Sequence, residues 1–171
     1  SPAKDIDVVV HLAAHAKVFE LVEHPDRALA NVIDCFTALD FARRRNIPFI
    51  FGSSREVYGD IHHHVTEEKS ADFVVAESPY SASKAASDHL VRAYHHTYGL
   101  PTLTSNCSNN YGPRQFPEKL IPLTIVNALA RKSLPVYGDG LNVRDWLYVG
   151  DHCAALRAVL ARGRPGETYN I

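Results

Sequence analysis

Short apolar runs and helical repeats alternate along the chain. Residues 7–12 and 48–51 are rich in β-branched and aromatic side chains without polar alternation, which is typical of strands covered on both faces. Between them, residues 25–45 carry apolar side chains at helical spacing. The residues predicted to share one face of this helix are Leu29, Val32, Phe36 and Leu39.

The alternation continues to the end of the chain. Helices are predicted over residues 81–98, 118–131 and 151–160, and strands over residues 101–106 and 134–137. Asp88 and Arg92, four residues apart, support the first of these helices. The polar stretch from 60 to 76 is predicted to be a surface loop. Strands that alternate with helices favour a parallel sheet, so the predicted fold class is α/β.

The composition argues against nucleic-acid and membrane partners. The formal net charge is −1 over 171 residues, so no basic surface is predicted for nucleic acid or an anionic membrane. No apolar run approaches the roughly 20 residues that span a bilayer. The three widely spaced cysteines favour free thiols in a reducing compartment, and therefore a cytoplasmic protein. The ten histidines complete no zinc-like spacing, and no metal is predicted.

A tyrosine and a lysine stand four residues apart at the start of the helix predicted after the polar stretch. Tyr80 and Lys84 therefore share one face of that helix. A free phenol has a pKa of about 10 and is a weak base at neutral pH, but a neighbouring ammonium favours the phenolate and lowers that pKa. The pair predicts a base that removes a hydroxyl proton while a hydride leaves the same carbon.

Polar residues also follow the strand predicted over 48–51, at the carboxyl edge where open α/β sheets bind their ligands. Ser53 and Ser54 end that strand, and Glu56 lies two residues further on. A serine hydroxyl at this edge is predicted to hydrogen-bond the reacting hydroxyl and to orient it towards Tyr80.

Six motifs in a fixed order carry a resemblance to a known family. The first three are His11-Leu12-Ala13-Ala14, Ser53-Ser54-Arg55-Glu56-Val57-Tyr58-Gly59 and Ser78-Pro79-Tyr80-Ser81-Ala82-Ser83-Lys84. The other three span residues 106–113, 116–122 and 143–149. Together they resemble the extended short-chain dehydrogenase/reductase family, and the last three resemble its nucleotide-sugar dehydratases.

The resemblance implies a Rossmann-like, doubly wound parallel sheet in an NAD-dependent enzyme that acts on a nucleotide sugar. Residues 1–113 would be the NAD-binding domain with the catalytic tyrosine and lysine. Residues 114–171 would be part of a small nucleotide-sugar-binding region with a return segment to the first domain. The implied reaction is oxidation at C4 of the sugar, elimination of water across C5 and C6, and return of the hydride. Family members commonly dimerise through a four-helix bundle, which implies a homodimer for the full-length protein.

The resemblance also assigns site residues motif by motif. The implied catalytic residues are Ser54 as orienting hydroxyl, Glu56, Tyr80 as base and Lys84 as its electrostatic partner. The implied NAD-binding residues are Leu12, Ala13, Ala14, Ser53, Tyr80, Lys84, Cys107 and Ser108. The implied substrate-binding residues are Asn109, Lys119, Leu120, Pro135, Tyr137 and Arg144. The lysine and arginine of this last set suit a diphosphate.

Arg55 departs from the dehydratase pattern. Dehydratases of the family carry Thr-Asp-Glu where this chain has Ser54-Arg55-Glu56. The serine keeps the hydroxyl, but a guanidinium stays protonated and cannot donate a proton to departing water. Dehydration would then rely on Glu56, which can still remove the C5 proton. The alternative is a nucleotide-sugar 4-epimerase, which needs only Ser54, Tyr80 and Lys84, or a decarboxylase-type relative.

The Gly-rich dinucleotide turn of the family is a second departure. The family opens with a Gly-x-x-Gly-x-x-Gly turn, and the helix after it binds the pyrophosphate. The nine glycines of this sequence show no such spacing. The chain is therefore expected to be truncated at both ends, to lack the first βαβ units of the sheet and to hold NAD weakly by itself. A non-catalytic fragment is the alternative from another functional class.

Overall fold

Four short strands form a parallel sheet at the centre of the structure. The computed structural model describes residues 5–59, 76–136 and 138–171. The strands of the central sheet are β1 (Val9–His11), β2 (Phe49–Ser54), β3 (Thr102–Cys107) and β6 (Thr168–Asn170), in that spatial order. Val9 pairs with Phe49, Phe49 with Thr102, and Thr104 with Thr168. A second, two-stranded parallel sheet joins β4 (Asn109–Tyr111) to β5 (Trp146–Tyr148).

Helices connect these strands. They are α1 (Val18–Glu23), α2 (Asp26–Arg45), α3 (Pro79–Tyr98), α4 (Leu120–Leu129) and α5 (Val149–Arg162). A 3-10 turn over Arg55–Tyr58 follows β2 directly. Strands that alternate with helices and pair in parallel confirm the predicted α/β class.

Helices cover both faces of the central sheet. On one face, α2 and α3 pack against β2, and the buried cluster there consists of Cys35, Leu39, Ala42, Phe49, Phe51, Val91 and Leu100. On the other face, Ile50 and Leu103 pack against Val159 of α5. Because side chains of a strand alternate in direction, Phe49 and Phe51 point to the first face and Ile50 to the second. This arrangement is the doubly wound sheet that the sequence predicts.

The buried face of α2 differs from the predicted one. Its buried residues are Ala28, Asn31, Cys35, Leu39 and Ala42. Of the predicted set only Leu39 is buried, while Leu29 and Phe36 are exposed and Val32 is partly exposed. The face towards α3 and the sheet uses smaller side chains, which allow the helix to pack closely. The larger apolar side chains form a stripe on the outer surface, which we call the α2 stripe (Leu29, Ile33, Phe36).

The segment from 112 to 148 is much more open than the sheet. Helix α4 has no buried residue. Residues 134–136, predicted as part of a strand, have no regular secondary structure, and Tyr137 lies outside the described residues. Most of the polar stretch predicted as a loop, residues 60–75, also lies outside them.

The described residues contain neither a helix that could cross a membrane nor a metal-binding cluster of side chains. Across residues 5–59, 76–136 and 138–171, none of the helices is long and apolar enough to cross a membrane. The same part of the chain holds no group of three or more His, Cys, Asp or Glu side chains placed to bind a metal ion.

Candidate active site

The start of α3 places Tyr80 in the first turn of the helix. Ser78 caps the helix, because its side chain accepts a hydrogen bond from the Ser81 amide at 3.1 Å while the Ser81 hydroxyl accepts one from the Ser78 amide at 3.0 Å. Pro79 begins the helix, where its fixed φ suits the first position. The helix therefore starts two residues earlier than the sequence predicts, and the backbone of Tyr80 is held by its capping interactions.

Ser54 and Glu56 lie where β2 passes into the 3-10 turn. The Ser54 hydroxyl caps this turn by accepting a hydrogen bond from the Glu56 amide at 3.2 Å. The Ser54 side chain also acts on the Tyr80 phenol and lowers its pKa. Ser54 thus links the end of β2, the turn that carries Glu56 and the first turn of α3.

Lys84 is anchored beneath Tyr80. Its ammonium donates a hydrogen bond to the Gly52 carbonyl at 2.7 Å, and the side chain is only 4% exposed. The same nitrogen lies 5.0 Å from the centre of the Phe51 ring and 6.0 Å from that of Tyr80. A Cβ at Gly52 would stand 2.6 Å from the end of the Leu12 side chain and 3.3 Å from the His11 carbonyl, so a larger residue there would require Leu12 to shift.

The electrostatics of Tyr80 run against the expectation from sequence. Burial raises the pKa of Tyr80 to about 12, with further upward contributions from Glu56 and Cys107. The interaction with Ser54 lowers this pKa but does not offset the burial. Burial also lowers the pKa of Lys84, which weakens its hold on a proton. The phenol is therefore protonated at neutral pH in the free protein, because desolvation, the largest contribution, disfavours the phenolate.

Glu56 combines partial burial with several cationic neighbours. Burial raises the pKa of Glu56, while the charges of Arg55, Arg144 and Lys119 act to lower it. The net direction is upward, so the carboxyl group holds its proton to higher pH than an exposed glutamate does. Two of the predicted substrate-binding residues, Lys119 and Arg144, thus act electrostatically on a predicted catalytic residue.

Arg55 is engaged by an acid from the C-terminal part of the chain. Its guanidinium donates a hydrogen bond to the Asp145 carboxylate at 3.2 Å, across 90 positions of sequence. Both side chains are partly or largely exposed, so this ion pair contributes little to stability. It does bring the Arg144-Asp145 segment to the turn that carries Glu56.

The residues predicted to contact the cofactor line the carboxyl ends of β1, β2 and β3. Leu12, Ala13 and Ala14 follow β1 directly, and Leu12 is 55% exposed. The Ser53 hydroxyl is buried and has no hydrogen-bond partner among the described residues. Cys107 ends β3, burial raises the pKa of its thiol, and its sulfur accepts a hydrogen bond from the Asn110 side-chain amide at 3.4 Å.

These residues fit the nicotinamide end of NAD. The side chains of Ala13 and Ala14 are small, Leu12 is exposed, and the buried Ser53 hydroxyl, which has no hydrogen-bond partner among the described residues, offers a polar contact. The lysine ammonium beside them can donate to a ribose hydroxyl when it leaves the Gly52 carbonyl. The residues at this edge therefore suit a nicotinamide riboside.

Apart from Asn109, the predicted substrate-binding residues belong to the open segment. Asn109 begins β4, Lys119 precedes α4, and Leu120 is the first residue of that helix. Pro135 lies in the stretch without regular structure, and Arg144 donates to the neighbouring Val143 carbonyl at 2.7 Å. Ser108, assigned to the cofactor, donates its amide to the Ile171 carbonyl at 3.0 Å.

Asn31 was not singled out from the sequence. Its side chain accepts from the His15 amide at 2.7 Å and donates to the His15 carbonyl at 3.2 Å and the Ser83 hydroxyl at 3.2 Å. Ser83 in turn donates to the Tyr80 carbonyl at 2.7 Å. Asn31 therefore ties the segment after β1 to the first turn of α3. A polar residue on the buried face of α2 is the only local signal of this role.

A second buried group links the 3-10 turn to two strands. The Tyr58 phenol accepts a hydrogen bond from the side-chain amide of Asn106 at 2.8 Å and donates one to the side-chain oxygen of Asn170 at 3.0 Å. These three residues lie 48 to 112 positions apart in sequence, and no spacing rule brings them together.

Comparison with known proteins shows where this arrangement recurs. The model of the NAD dependent epimerase/dehydratase family matches residues 2–171. A dTDP-glucose 4,6-dehydratase from Xanthomonas campestris is 53% identical and one from Escherichia coli is 50% identical, each over 96% of this chain. The matches cover 50% and 51% of those proteins, so the chain spans about half the length of the curated relatives it matches.

Solved structures give the same result. A dTDP-glucose 4,6-dehydratase from Bacillus anthracis in complex with NAD is 46% identical with a TM-score of 0.87, over 98% of this chain and 51% of that one. A dTDP-glucose 4,6-dehydratase from Streptomyces venezuelae with NAD bound is 43% identical with a TM-score of 0.91, over 97% and 52%. The sheet edge with its serine, tyrosine and lysine, together with a family match along nearly the whole sequence, shows that this chain belongs to the NAD dependent epimerase/dehydratase family.

Proposed function

We propose that the protein to which this chain belongs is an NAD-dependent nucleotide-sugar dehydratase that acts on dTDP-glucose. The observation that carries the proposal is the cluster of Ser54, Glu56, Tyr80 and Lys84 at one sheet edge. The names and identities of the relatives support the same reaction class. In this proposal residues 1–113 carry the chemistry and residues 114–171 carry substrate contacts, with β6 as the segment that returns to the sheet.

The first step is oxidation of the sugar at C4. Ser54 hydrogen-bonds the C4 hydroxyl and holds it against Tyr80, whose phenolate takes the hydroxyl proton. NAD, when bound, supplies the acceptor for the C4 hydride and, in its oxidised form, a positive charge. Since burial keeps the Tyr80 pKa at about 12, the tyrosine becomes an effective base only when positive charge is added beside it.

The second step is loss of water across C5 and C6. The 4-keto group acidifies the C5 hydrogen, and the Glu56 carboxylate takes that proton. The electron pair left on C5 forms the C5–C6 double bond as the C6–O bond breaks, and the leaving hydroxyl departs as water with the proton that Glu56 holds. A raised pKa makes this carboxyl a stronger base and lets it carry the proton between the two atoms. Return of the hydride to C6 and of a proton to C5 completes a redox-neutral reaction.

The cations around Glu56 suit the other end of the substrate. Lys119 and Arg144 come from different elements, yet both act on the Glu56 carboxyl. A dTDP-sugar carries a diphosphate next to its sugar ring, so cations at this position would bind the phosphates while the ring faces Tyr80.

A 4-epimerase is the second candidate, and Arg55 is the observation that favours it. Arg55 occupies the position of the dehydratase acid and is paired with Asp145 at 3.2 Å. A guanidinium cannot protonate a leaving hydroxyl. Epimerisation would need only oxidation at C4 and return of the hydride to the opposite face of the keto sugar.

The test is an enzyme assay in which the full-length protein is incubated with NAD and dTDP-glucose and the product is identified. The 4-keto-6-deoxy sugar as product supports the dehydratase, and dTDP-galactose supports the epimerase instead. Recovery of unchanged dTDP-glucose, with calorimetry detecting no NAD binding, would reject both. Arg55→Asp restores an acid beside Glu56 and is expected to raise the rate of water elimination, whereas Arg55→Gln, which restores none, is the matched control.

The α2 stripe supports a homodimer as part of this proposal. Leu29, Ile33 and Phe36 are exposed on one side of a twenty-residue helix. Pairing of this surface with a second copy would remove apolar area from water. Sedimentation of the complete protein at several concentrations measures the assembly, and Phe36→Glu is expected to shift it to the monomer. A monomeric wild-type protein would contradict the dimer.

A further inference from the structure

The turn that carries Glu56 is fixed at both of its ends. At its start the Ser54 hydroxyl accepts the Glu56 amide at 3.2 Å. At its end Tyr58, which is 8% exposed, places its phenol between the side chains of Asn106 in β3 and Asn170 in β6. A four-residue 3-10 turn has few internal hydrogen bonds, so its position depends on these contacts and on the packing of Val57 and Tyr58 against Ala85 of α3.

The hydrogen-bond partners of the Tyr58 phenol belong to two strands of the central sheet and are not among the proposed catalytic groups. Asn106 is 3% exposed and lies inside β3, one residue before Cys107. Asn170 is the last residue of β6. Both belong to paired strands of the central sheet, which pack more rigidly than a surface turn. The phenol thus connects the Glu56 turn to the framework of the sheet.

We propose that Tyr58 is a positioning residue for Glu56, holding that carboxyl at C5 of the substrate through the hydrogen bonds to Asn106 and Asn170. This rests on the proposed dehydratase function. Tyr58 itself acts on neither the cofactor nor the sugar. Tyr80 and Lys84 are held by α3 and by Gly52, and Ser54 by its pairing with Cys107 in the sheet, so the groups of the oxidation step do not depend on the Tyr58 hydroxyl.

Tyr58→Phe tests this assignment without breaking the fold. The substitution keeps the ring, and the Asn106 amide remains 3.4 Å from the Asn170 side-chain oxygen. A loosened turn displaces Glu56, and a displacement of about 1 Å can slow a reaction by about 100-fold. We expect exchange of the C5 hydrogen with deuterated water and formation of the 4-keto-6-deoxy product to slow about tenfold or more. Single-turnover reduction of NAD by dTDP-glucose should stay within about twofold of wild type.

The matched control is Tyr169→Phe. This neighbouring residue of β6 also loses a hydrogen bond, the one that its hydroxyl accepts from the Arg164 amide at 2.8 Å. Its ring packs with Ile50 and Leu103 on the other face of the sheet. Both steps should proceed in this variant as in wild type. If Tyr58→Phe slows oxidation and C5 exchange equally, or slows neither, Tyr58 is not a positioning residue for Glu56.

A second measurement separates this proposal from the dehydratase proposal. Carbon-detected NMR of labelled glutamate, assigned with Glu56→Gln, follows the titration of the Glu56 carboxyl without any substrate. Burial raises the pKa of this group, so a loosened turn should admit water and return the pKa of Glu56 towards its ordinary value in Tyr58→Phe. An unchanged titration would overturn the assignment. If wild type did not oxidise dTDP-glucose, the dehydratase proposal would fail and this titration would decide the role of Tyr58.

Discussion

Helices α3 and α4 differ sharply in how they are packed. Seven residues of α3 are buried, among them Lys84 and Asp88, whereas none of α4 is. The contrast extends to the surrounding segments. Large apolar side chains are exposed throughout the open segment, including Phe116, Ile125, Leu129, Leu134, Leu141, Val143 and Trp146. The sheet with α2 and α3 is a well-packed frame, and residues 112–148 lie on it with little buried area of their own.

The difference separates chemistry from substrate binding. The candidate catalytic groups Ser54, Tyr80 and Lys84 belong to the packed frame, where burial raises the pKa of Tyr80 and lowers that of Lys84. The candidate phosphate-binding cations Lys119 and Arg144 belong to the open segment and are exposed. Substitutions in the frame should therefore alter reactivity or stability strongly, and substitutions in the open segment should mainly alter affinity for the substrate.

The largest effect is expected when the phenol of Tyr80 is removed. Tyr80→Phe eliminates the proposed base while keeping the ring, so turnover of dTDP-glucose by the complete enzyme should fall about 10²- to 10⁴-fold. The free energy of unfolding should change little. Tyr98→Phe, on the exposed end of the same helix, is the control and should retain wild-type turnover. A Tyr80→Phe enzyme with more than about a tenth of wild-type turnover would mean that another group is the base.

The free energy of unfolding should also respond very differently to substitutions in the packed frame and in the open segment. The side chain of Phe49 in β2 is fully buried beneath α2 and α3, so Phe49→Ala should lower the free energy of unfolding by about 3–5 kcal/mol. Leu129 in α4 is 81% exposed, and Leu129→Ala should change it by less than about 0.5 kcal/mol. Urea unfolding of both variants measures the two values. Comparable losses would show that the open segment is packed in solution.

The packed frame was also the part that the sequence predicted best. The helix predicted over 25–45 is observed as Asp26–Arg45, and the ion pair between Asp88 and Arg92 forms at 2.9 Å. Local periodicity and charge spacing are sufficient for such elements. The prediction of the buried face of α2 was wrong because apolar residues occur on several sides of that helix. Periodicity alone could not choose between Leu29 and Ala28.

The candidate site was predictable in its residues but not in its electrostatics. Motif order predicted Ser54, Tyr80 and Lys84, and the structure brings them to one sheet edge. The expected fall of the Tyr80 pKa was wrong, because desolvation depends on tertiary packing that sequence spacing does not report. The contacts of Tyr58 with Asn106 and Asn170 were missed for the same reason.

A smaller effect is expected from the cations of the open segment. Arg144→Gln removes a charge from the proposed diphosphate site, and a charge-assisted hydrogen bond contributes about 1.5–3 kcal/mol. The KM for dTDP-glucose should therefore rise about tenfold or more, with kcat changed less. Arg157→Gln on the exposed side of α5 is the charge-matched control and should leave KM unchanged. A fall in kcat at constant KM would place Arg144 in the chemical step instead.

The smallest effect concerns the pH dependence of stability in the frame. His11 is buried and stacked near Phe49 and Phe51, with ring centres 6.1 and 6.2 Å apart. Burial, and next the charge of Lys84, lower the pKa of His11 below its ordinary 6.5, with Asp34 opposing them.

Between its lowered pKa in the folded state and 6.5, His11 binds more protons in the unfolded state. The free energy of unfolding should therefore fall as the pH decreases through this window. Above pH 6.5 the contribution of neutral His11 to stability should be complete. Urea unfolding at about pH 5 and about pH 7.5 measures this difference. In His11→Gln the difference should shrink, because the titrating group is gone. An equal difference in both proteins would assign the pH dependence to other groups, with His152 of α5, whose pKa burial also lowers, as the next residue to replace.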